Sequence, residues 1–217
     1  MVQIITPDVR EHYQDLLDDM FRMRYRIVVE KWGWDIPGIE PGYDKDQFDT
    51  DDTIYIVETD QSREKAVACT RLNPTTKPHM FSELWAPQCN LQPYPTGDAI
   101  YECSRYISDR AAFETKQDEF LAVLRTGVGL TEYCLEAGVE RLTWLTREKL
   151  YNVAIAVWET EPLGRPWHHE VDNDTYIPAT SKIDITALTK QRATLPNPNE
   201  AVSFTYRPVG AQYRKAA

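Results

Sequence analysis

Three arginines and three carboxylates occupy positions in this chain where charge is costly to bury. Glu102 and Arg105 interrupt IYECSRY, a segment otherwise suited to an interior strand, and Arg71 lies in the alternating run ACTRLNPT. Asp46 and Asp49 belong to GYDKDQFDTDD, and Arg24 sits among apolar residues near the amino terminus. Such groups are tolerated in an interior only when they are paired and hydrogen-bonded. Six of them in four separate segments predict one built polar site. A calcium loop at Asp46, Asp49, Asp51 and Asp52 would need a glycine and a terminal glutamate at fixed offsets, and both are missing.

Several elements must bring these residues together. A short strand, Val2 to Ile5, precedes Thr6-Pro7-Asp8, which offers a helix cap, a proline at the first helical position and an acid facing the dipole. The helix expected from there to about residue 30 carries Tyr13, Leu17, Met20 or Phe21, Arg24 and Val28 on one stripe. Arg24 therefore points inward, while Arg22 and Arg26 point elsewhere. Lys31 to Asp52 reads as a long loop with Trp32, Trp34, Tyr43 and Phe48 interleaved; a lid or binding loop and plain surface irregularity are the competing readings. Thr53 to Thr59 and Ala66 to Leu72 alternate across a polar turn and predict an antiparallel hairpin, with Arg71 on the face of Val67 and Cys69. A strand over Ile100 to Tyr106 places Glu102 and Ser104 on one face and Tyr101, Cys103 and Arg105 on the other, so Glu102 and Arg105 cannot simply pair side by side. Next come a helix from Lys116 to Ala137 closed by Gly138, a strand from Glu140 to Leu145, a helix capped by Thr146, and a strand within Thr175 to Thr186. Strands crossed by later helices predict an α/β or α+β sandwich around a mixed sheet.

The 217 residues, 42% of them hydrophobic, suffice for one substantial core. A single catalytic domain is expected over residues 1–190, with 191–217 as a partly irregular tail. The cysteines at 69, 89, 103 and 134 have no metal-ligand spacing and are expected as buried free thiols, and of the histidines only His168 and His169 adjoin, so no metal site is expected. The amino terminus has no signal-peptide pattern and no apolar run is long enough for a membrane span, so a cytoplasmic protein is expected. A net charge of −10 disfavours nucleic acid as a partner.

Taken in order, MFRMRYRIVVEKWGW, DKDQFD, ACTRLNPTTKP and YECSRY resemble the acyl-homoserine-lactone synthases, the LuxI-type makers of quorum-sensing signals, over roughly residues 15 to 110. The resemblance carries the family's charged catalytic residues onto Arg24, Asp46, Asp49, Arg71, Glu102 and Arg105, and its tryptophan onto Trp34. Where the family usually has phenylalanine four residues after the first arginine, this chain has Val28. The implied fold is that of GCN5-related N-acyltransferases, a three-layer sandwich with helices on both faces of a mixed sheet, in which a splayed pair of strands admits the acyl-pantetheine arm.

The implied reaction joins S-adenosylmethionine to an acyl group from acyl carrier protein or acyl-CoA, then closes a homoserine lactone with release of methylthioadenosine. S-adenosylmethionine is a substrate, and no cofactor is implied. On this reading Glu102 is the base, directly or through a water, and Arg24 and Arg71 anchor the substrate carboxylate or orient the acids. Trp34 and Phe48 wall the adenosine, with Val28 and Ser104 as further substrate contacts. Thr143 matches a threonine found in several members that prefer 3-oxo-acyl chains. Arg147 and Lys149 are candidates for a basic patch that docks an acidic carrier, against scattered solvated charge as the plain reading. The alternative is another acyl-CoA-dependent N-acyltransferase of the same fold, whose R/Q-x-x-G-x-G/A turn before a helix is absent, since Gly127 and Gly129 fall inside a predicted helix.

Overall fold

The computed structural model describes residues 1–205. Strand β1 (Val2–Ile5) is buried along its whole length. The Thr6-Pro7-Asp8 segment forms a surface turn rather than a helix cap: the Val9 N–H bonds the Thr6 carbonyl at 3.2 Å, the Thr6 hydroxyl donates to the Asp8 carboxylate at 2.5 Å, and helical structure starts only at Arg10. A 3-10 turn at Arg10–Tyr13 follows, and the helix proper, α1 (Gln14–Tyr25), continues into a π-helical turn over Arg26–Lys31. There the Trp32 N–H bonds the Ile27 carbonyl, five residues back, at 3.0 Å. Such widened turns recur at functional sites, and this one ends the helix where the long loop begins.

β2 (Ile54–Thr59) and β3 (Ala66–Pro74) form the expected hairpin. β4 (Ile100–Ser108) pairs antiparallel with β3, α2 (Lys116–Ala137) crosses over, and β5 (Arg141–Arg147) returns parallel to β4. The bounds of α2 match those expected because both end signals are strong. Thr115 and Asp118 exchange capping-box bonds, and Gly138 takes a left-handed φ of 74°. Thr146 instead lies inside β5, and no side chain caps the next helix, α3 (Glu148–Val157). β6 (Glu159–Pro162), β7 (Trp167–His169), β8 (Asp174–Lys182), α4 (Ile185–Arg192) and β9 (Ser203–Thr205) complete the described chain. β9 belongs to the segment expected as an irregular tail and pairs with β1; residues 206–217 of that segment lie outside the described residues.

The strand order is β6-β8-β5-β4-β3-β2-β1-β9, with β7 attached to β8. On one face, Leu17, Met20, Phe21 and Met23 of α1 pack against Tyr55, Val57 and Cys69. On the other, Val128, Leu130 and Cys134 of α2, Ala154 of α3 and Leu188 of α4 cover Ile56, Leu72 and Leu142. The result is a three-layer sandwich around a mixed sheet. Gly129 permits the close approach of α2, since a Cβ there would lie 2.7 Å from Val2 Cγ1.

One seam in the sheet is incomplete. β4 and β5 hold register only from Ile100 opposite Arg141 to Cys103 opposite Trp144, although β4 runs on to Ser108 and β5 to Arg147. A cavity enters between the unpaired halves, lined by Ser104 and Arg105 on one side and Leu145 and Thr146 on the other. Backbone groups that point into such a gap are left for a ligand.

Candidate active site

Arg24 is fully buried. Its Nη1 and Nη2 donate to Asp49 Oδ1 and Oδ2 at 2.8 and 2.9 Å, and its Nε donates to Asp44 Oδ2 at 3.2 Å. Arg71 reaches Asp46 Oδ1 and Oδ2 at 2.6 and 3.1 Å, lies 2.8 Å from Asp49 Oδ2, and donates through Nε to Ser104 Oγ at 2.9 Å. Arg105 closes the network, with Nε and Nη2 donating to Asp44 at 2.9 and 3.2 Å and Nη2 also to Asp46 Oδ2 at 2.9 Å. Five of the six charged residues picked out in the sequence thus form one network, which Asp44 joins; the sixth, Glu102, is linked to it through Ser104. Three guanidinium groups match three aspartates, which is what allows so much charge inside the protein. Burial alone would favour neutral groups, but Asp49 and Asp44 keep Arg24 firmly protonated. Burial likewise works against an ionised Asp49, yet Arg24 and Arg71 hold its carboxyl well below the usual carboxylate range.

Glu102 is the carboxyl left over from this balance. Its Oε2 accepts from Ser104 Oγ at 3.1 Å and Asn73 Nδ2 at 3.4 Å. Its Oε1 has no hydrogen-bond partner among the described residues, and the residue lines the cavity. Burial pushes the Glu102 carboxyl up to about 7, against the opposing pull of Arg71, Ser104 and Asn73. A carboxyl of that acidity is available to accept protons near neutral pH, the condition a general base must meet.

Arg105 does not follow strand alternation. Its φ is 54°, and the β3–β4 register slips by one residue between Cys69 opposite Ile107 and Arg71 opposite Ser104. This bulge re-aims the side chain towards Ser104 and the aspartates, so the expectation that it shares a face with Tyr101 and Cys103 is corrected. Glu102 and Arg105 still do not pair with each other. Among the described residues Arg105 Nη1 meets only the Met80 Sδ, at 3.4 Å, a weak acceptor that leaves this donor of a cavity-lining residue largely unused.

Val28, Trp34 and Ser104 all line the cavity. Trp34 is held by Asp172, whose Oδ2 accepts its Nε1 at 3.1 Å together with Arg147 Nη2 at 3.1 Å and the Tyr176 hydroxyl, while Oδ1 meets His169 Nδ1 at 2.8 Å. Against its burial, the hydrogen bonds from Tyr176, His169 and Trp34 bring the Asp172 carboxyl down to about 2. Phe48 is placed differently from the expectation. It packs beneath Arg71, 5.8 Å from ring centroid to guanidinium, and lines a separate hollow beside Asn73 and Lys77, because its loop folds back onto β3. Thr143 lies opposite Glu102 in the β4–β5 register and is fully buried, with no partner for its hydroxyl among the described residues, whereas its neighbours Leu142 and Trp144 line the cavity.

Arg147 is not offered to solvent as a free cation. It stacks 4.0 Å from the Trp32 ring centroid and is ion-paired to Asp172 and Asp174 at 3.1 and 3.2 Å; Lys149 is exposed. Sequence reasoning missed Asp44, Asn73 and Asp172. Membership of the same acidic run was the only signal for Asp44, and the Asp172 contact to Trp34 spans 138 residues. Among the described residues no three His, Cys, Asp or Glu side chains are grouped to hold a metal, and no helix is long and apolar enough to cross a membrane.

An open mixed sheet parted between two parallel strands, with a buried carboxyl at the parting, is the architecture of an N-acyltransferase. At the level of fold alone, a Lactobacillus plantarum protein described as an N-acetyltransferase superposes with a TM-score of 0.52 at 13% identity, over 84% of this chain and 99% of that one. BjaI, a CoA-dependent acyl-homoserine lactone synthase solved with MTA, superposes with a TM-score of 0.83 at 27% identity, over 96% of this chain and 94% of its own. The isovaleryl-homoserine lactone synthase of Bradyrhizobium diazoefficiens is 31% identical over 172 residues, 76% of this chain and 73% of that relative. The sequence profile of the autoinducer synthases matches residues 8–166. The chain belongs to the autoinducer synthase family. It is an acyltransferase of the acyl-homoserine-lactone synthase type.

Proposed function

We propose that the protein joins S-adenosylmethionine to an acyl group carried by coenzyme A and closes the product to an N-acyl-homoserine lactone, with Glu102 as the base. The observation that carries this reading is a buried Glu102 that lines the cavity where β4 and β5 part and whose Oε1 has no hydrogen-bond partner among the described residues. The substrate α-amine, with a pKa of ~8, must lose a proton to attack the thioester. Glu102 Oε1 accepts that proton directly or through one water. Backbone N–H groups in the gap beyond Cys103 suit the oxyanion, and collapse of the adduct expels the thiol. The substrate's own carboxylate then attacks the carbon bound to the sulfonium sulfur; the C–S bond breaks and neutral methylthioadenosine leaves. That closure is intramolecular and needs mainly a folded conformation.

Arg24 and Arg71 are saturated by aspartates, which favours the role of orienting the acids over that of binding substrate. Arg105, with Nη1 set only against Met80, is the better anchor for the substrate carboxylate. Trp34, fixed by Asp172, walls the adenosine side, where an aromatic face also favours the sulfonium.

Two observations favour coenzyme A over an acidic carrier protein. BjaI has been solved with SAM and isopentyl-CoA. Here Arg147 is already neutralised by two aspartates in a chain of net charge −10, and two acidic bodies repel unless a basic patch steers them together. Both small-molecule substrates are intracellular metabolites, so the reading puts the protein in the cytoplasm. No cofactor is required, since the thioester and the sulfonium supply the leaving groups.

Incubation of the purified protein with S-adenosylmethionine and isovaleryl-CoA tests the reading. Free coenzyme A, methylthioadenosine and lactone should appear in equal amounts by mass spectrometry. Thiol release without methylthioadenosine would indicate an ordinary N-acyltransferase, and turnover with acyl carrier protein alone would overturn the choice of donor.

A further inference from the structure

Two buried side chains that the reaction above leaves unused stand behind Glu102. Asn73 lies opposite Glu102 in the β3–β4 register; its Nδ2 donates to Glu102 Oε2 at 3.4 Å, and its Oδ1 accepts from Thr53 Oγ1 at 2.7 Å. Thr53, fully buried at the end of the long loop, also accepts the Thr50 N–H at 2.8 Å and lies 3.1 Å from the Phe48 carbonyl. An amide has one donor end and one acceptor end; with the Thr53 proton on Oδ1, the shorter of its two acceptor contacts, the donor end is presented to Glu102. Ser104 is fixed in the same way. Arg71 Nε donates to its Oγ, and its own proton goes to Glu102 Oε2. Both donors converge on one carboxylate oxygen and leave the other without a hydrogen-bond partner among the described residues.

We propose that Asn73, aimed by Thr53, is a positioning residue for Glu102: it holds Oε2 so that Oε1 alone meets the substrate amine, and it sets the pH at which the base becomes available. This rests on Glu102 being the base. The charged groups that face Glu102 are Arg71, which favours its ionised form, and Asp46, which opposes it. Arg71 is shared with Asp46 and Asp49, so the neutral donors Ser104 and Asn73 contribute the remaining stabilisation of the carboxylate. Loss of a hydrogen bond to a charged form disfavours that form. The Thr53–Asn73 link also ties the base to the loop that carries Asp46, Phe48 and Asp49.

The test is the pH dependence of coenzyme A release in single turnovers. In Asn73→Leu the rising limb should move up by about one pH unit, which corresponds to a rate loss of about fivefold near pH 7 that largely closes by pH 9. Thr53→Val, which keeps the shape but removes the aiming hydroxyl, should shift the limb in the same direction by less, and it carries the test if Asn73→Leu does not fold. A limb unmoved in a folded Asn73→Leu, or a loss equal at every pH, would overturn the positioning role. The parent reading fails separately: if Glu102→Gln keeps the wild-type limb, Glu102 is not the base and the role of Asn73 falls with it.

Discussion

Arg24 and Asp49 meet as a parallel two-point pair, Nη1 to Oδ1 at 2.8 Å and Nη2 to Oδ2 at 2.9 Å, with both side chains sealed from solvent. This contact fastens the long loop to α1, and Asp46 and Asp44 fasten the same loop to β3 and β4 through Arg71 and Arg105. The loop that carries the acids is therefore part of the rigid frame behind Glu102.

Removal of one partner strands the other as a buried charge. Arg24→Met or Asp49→Leu should each cost about 3–5 kcal/mol in chemical denaturation. The combined variant should lose clearly less than the sum, because a paired charge is worth little over apolar packing once both members are gone. Simple additivity would show that the two residues do not depend on each other.

The bulge at Arg105 makes a separable prediction. Arg105→Gly and Arg105→Ala both lose the pairs to Asp44 and Asp46 and should both lose activity. Glycine accepts the φ of 54° without strain, so the glycine variant should be the more stable of the two by about 1 kcal/mol in urea titrations. Equal stability, or an alanine variant that is more stable, would mean that the backbone conformation stores no strain.

Glu102 should tax stability where it serves catalysis. Burial raises its carboxyl from 4.5 to about 7. The folded protein thus binds this proton more tightly than the unfolded chain; the contribution is full below the unfolded pKa and is lost as pH rises through the folded value. At 1.36 kcal/mol per unit, the loss amounts to about 3 kcal/mol. Asp49 and Asp44 act in the opposite direction: their lowered values stabilise the protein above the ordinary carboxylate range, and that contribution is lost in acid. Glu102→Gln should therefore remove the decline between about pH 5 and pH 8 and be more stable than wild type at the alkaline end. Parallel pH profiles for the two proteins would contradict this.

Much of the frame was legible because its signals are local. The ends of α2 are written in Thr115, Asp118 and Gly138, and the inward stripe of α1 names Arg24. The pairing logic of buried charge brought four segments together without reference to contacts. What escaped notice depends on long-range geometry. Asp44 differs from its acidic neighbours only in where the loop folds, and nothing marks Arg105 for a left-handed backbone. Asp172 meets Trp34 across most of the chain, and β6 and β7 are short, poorly buried strands with little alternation to read. Phe48 as an adenosine wall came with the family resemblance; the loop that carries it folds onto β3, so its ring lines the hollow beside Asn73 and Lys77 instead of the cavity at the β4–β5 seam.

The measurement closest to the central claim is the rate of acyl transfer across pH for wild type and Glu102→Gln, followed by coenzyme A release at saturating substrates. Wild type should rise through the Glu102 value of about 7. The glutamine variant should be slower by ~10²-fold or more and lack that rise. A folded glutamine variant with the wild-type rate and the same pH profile would show that Glu102 does not take the proton from the amine.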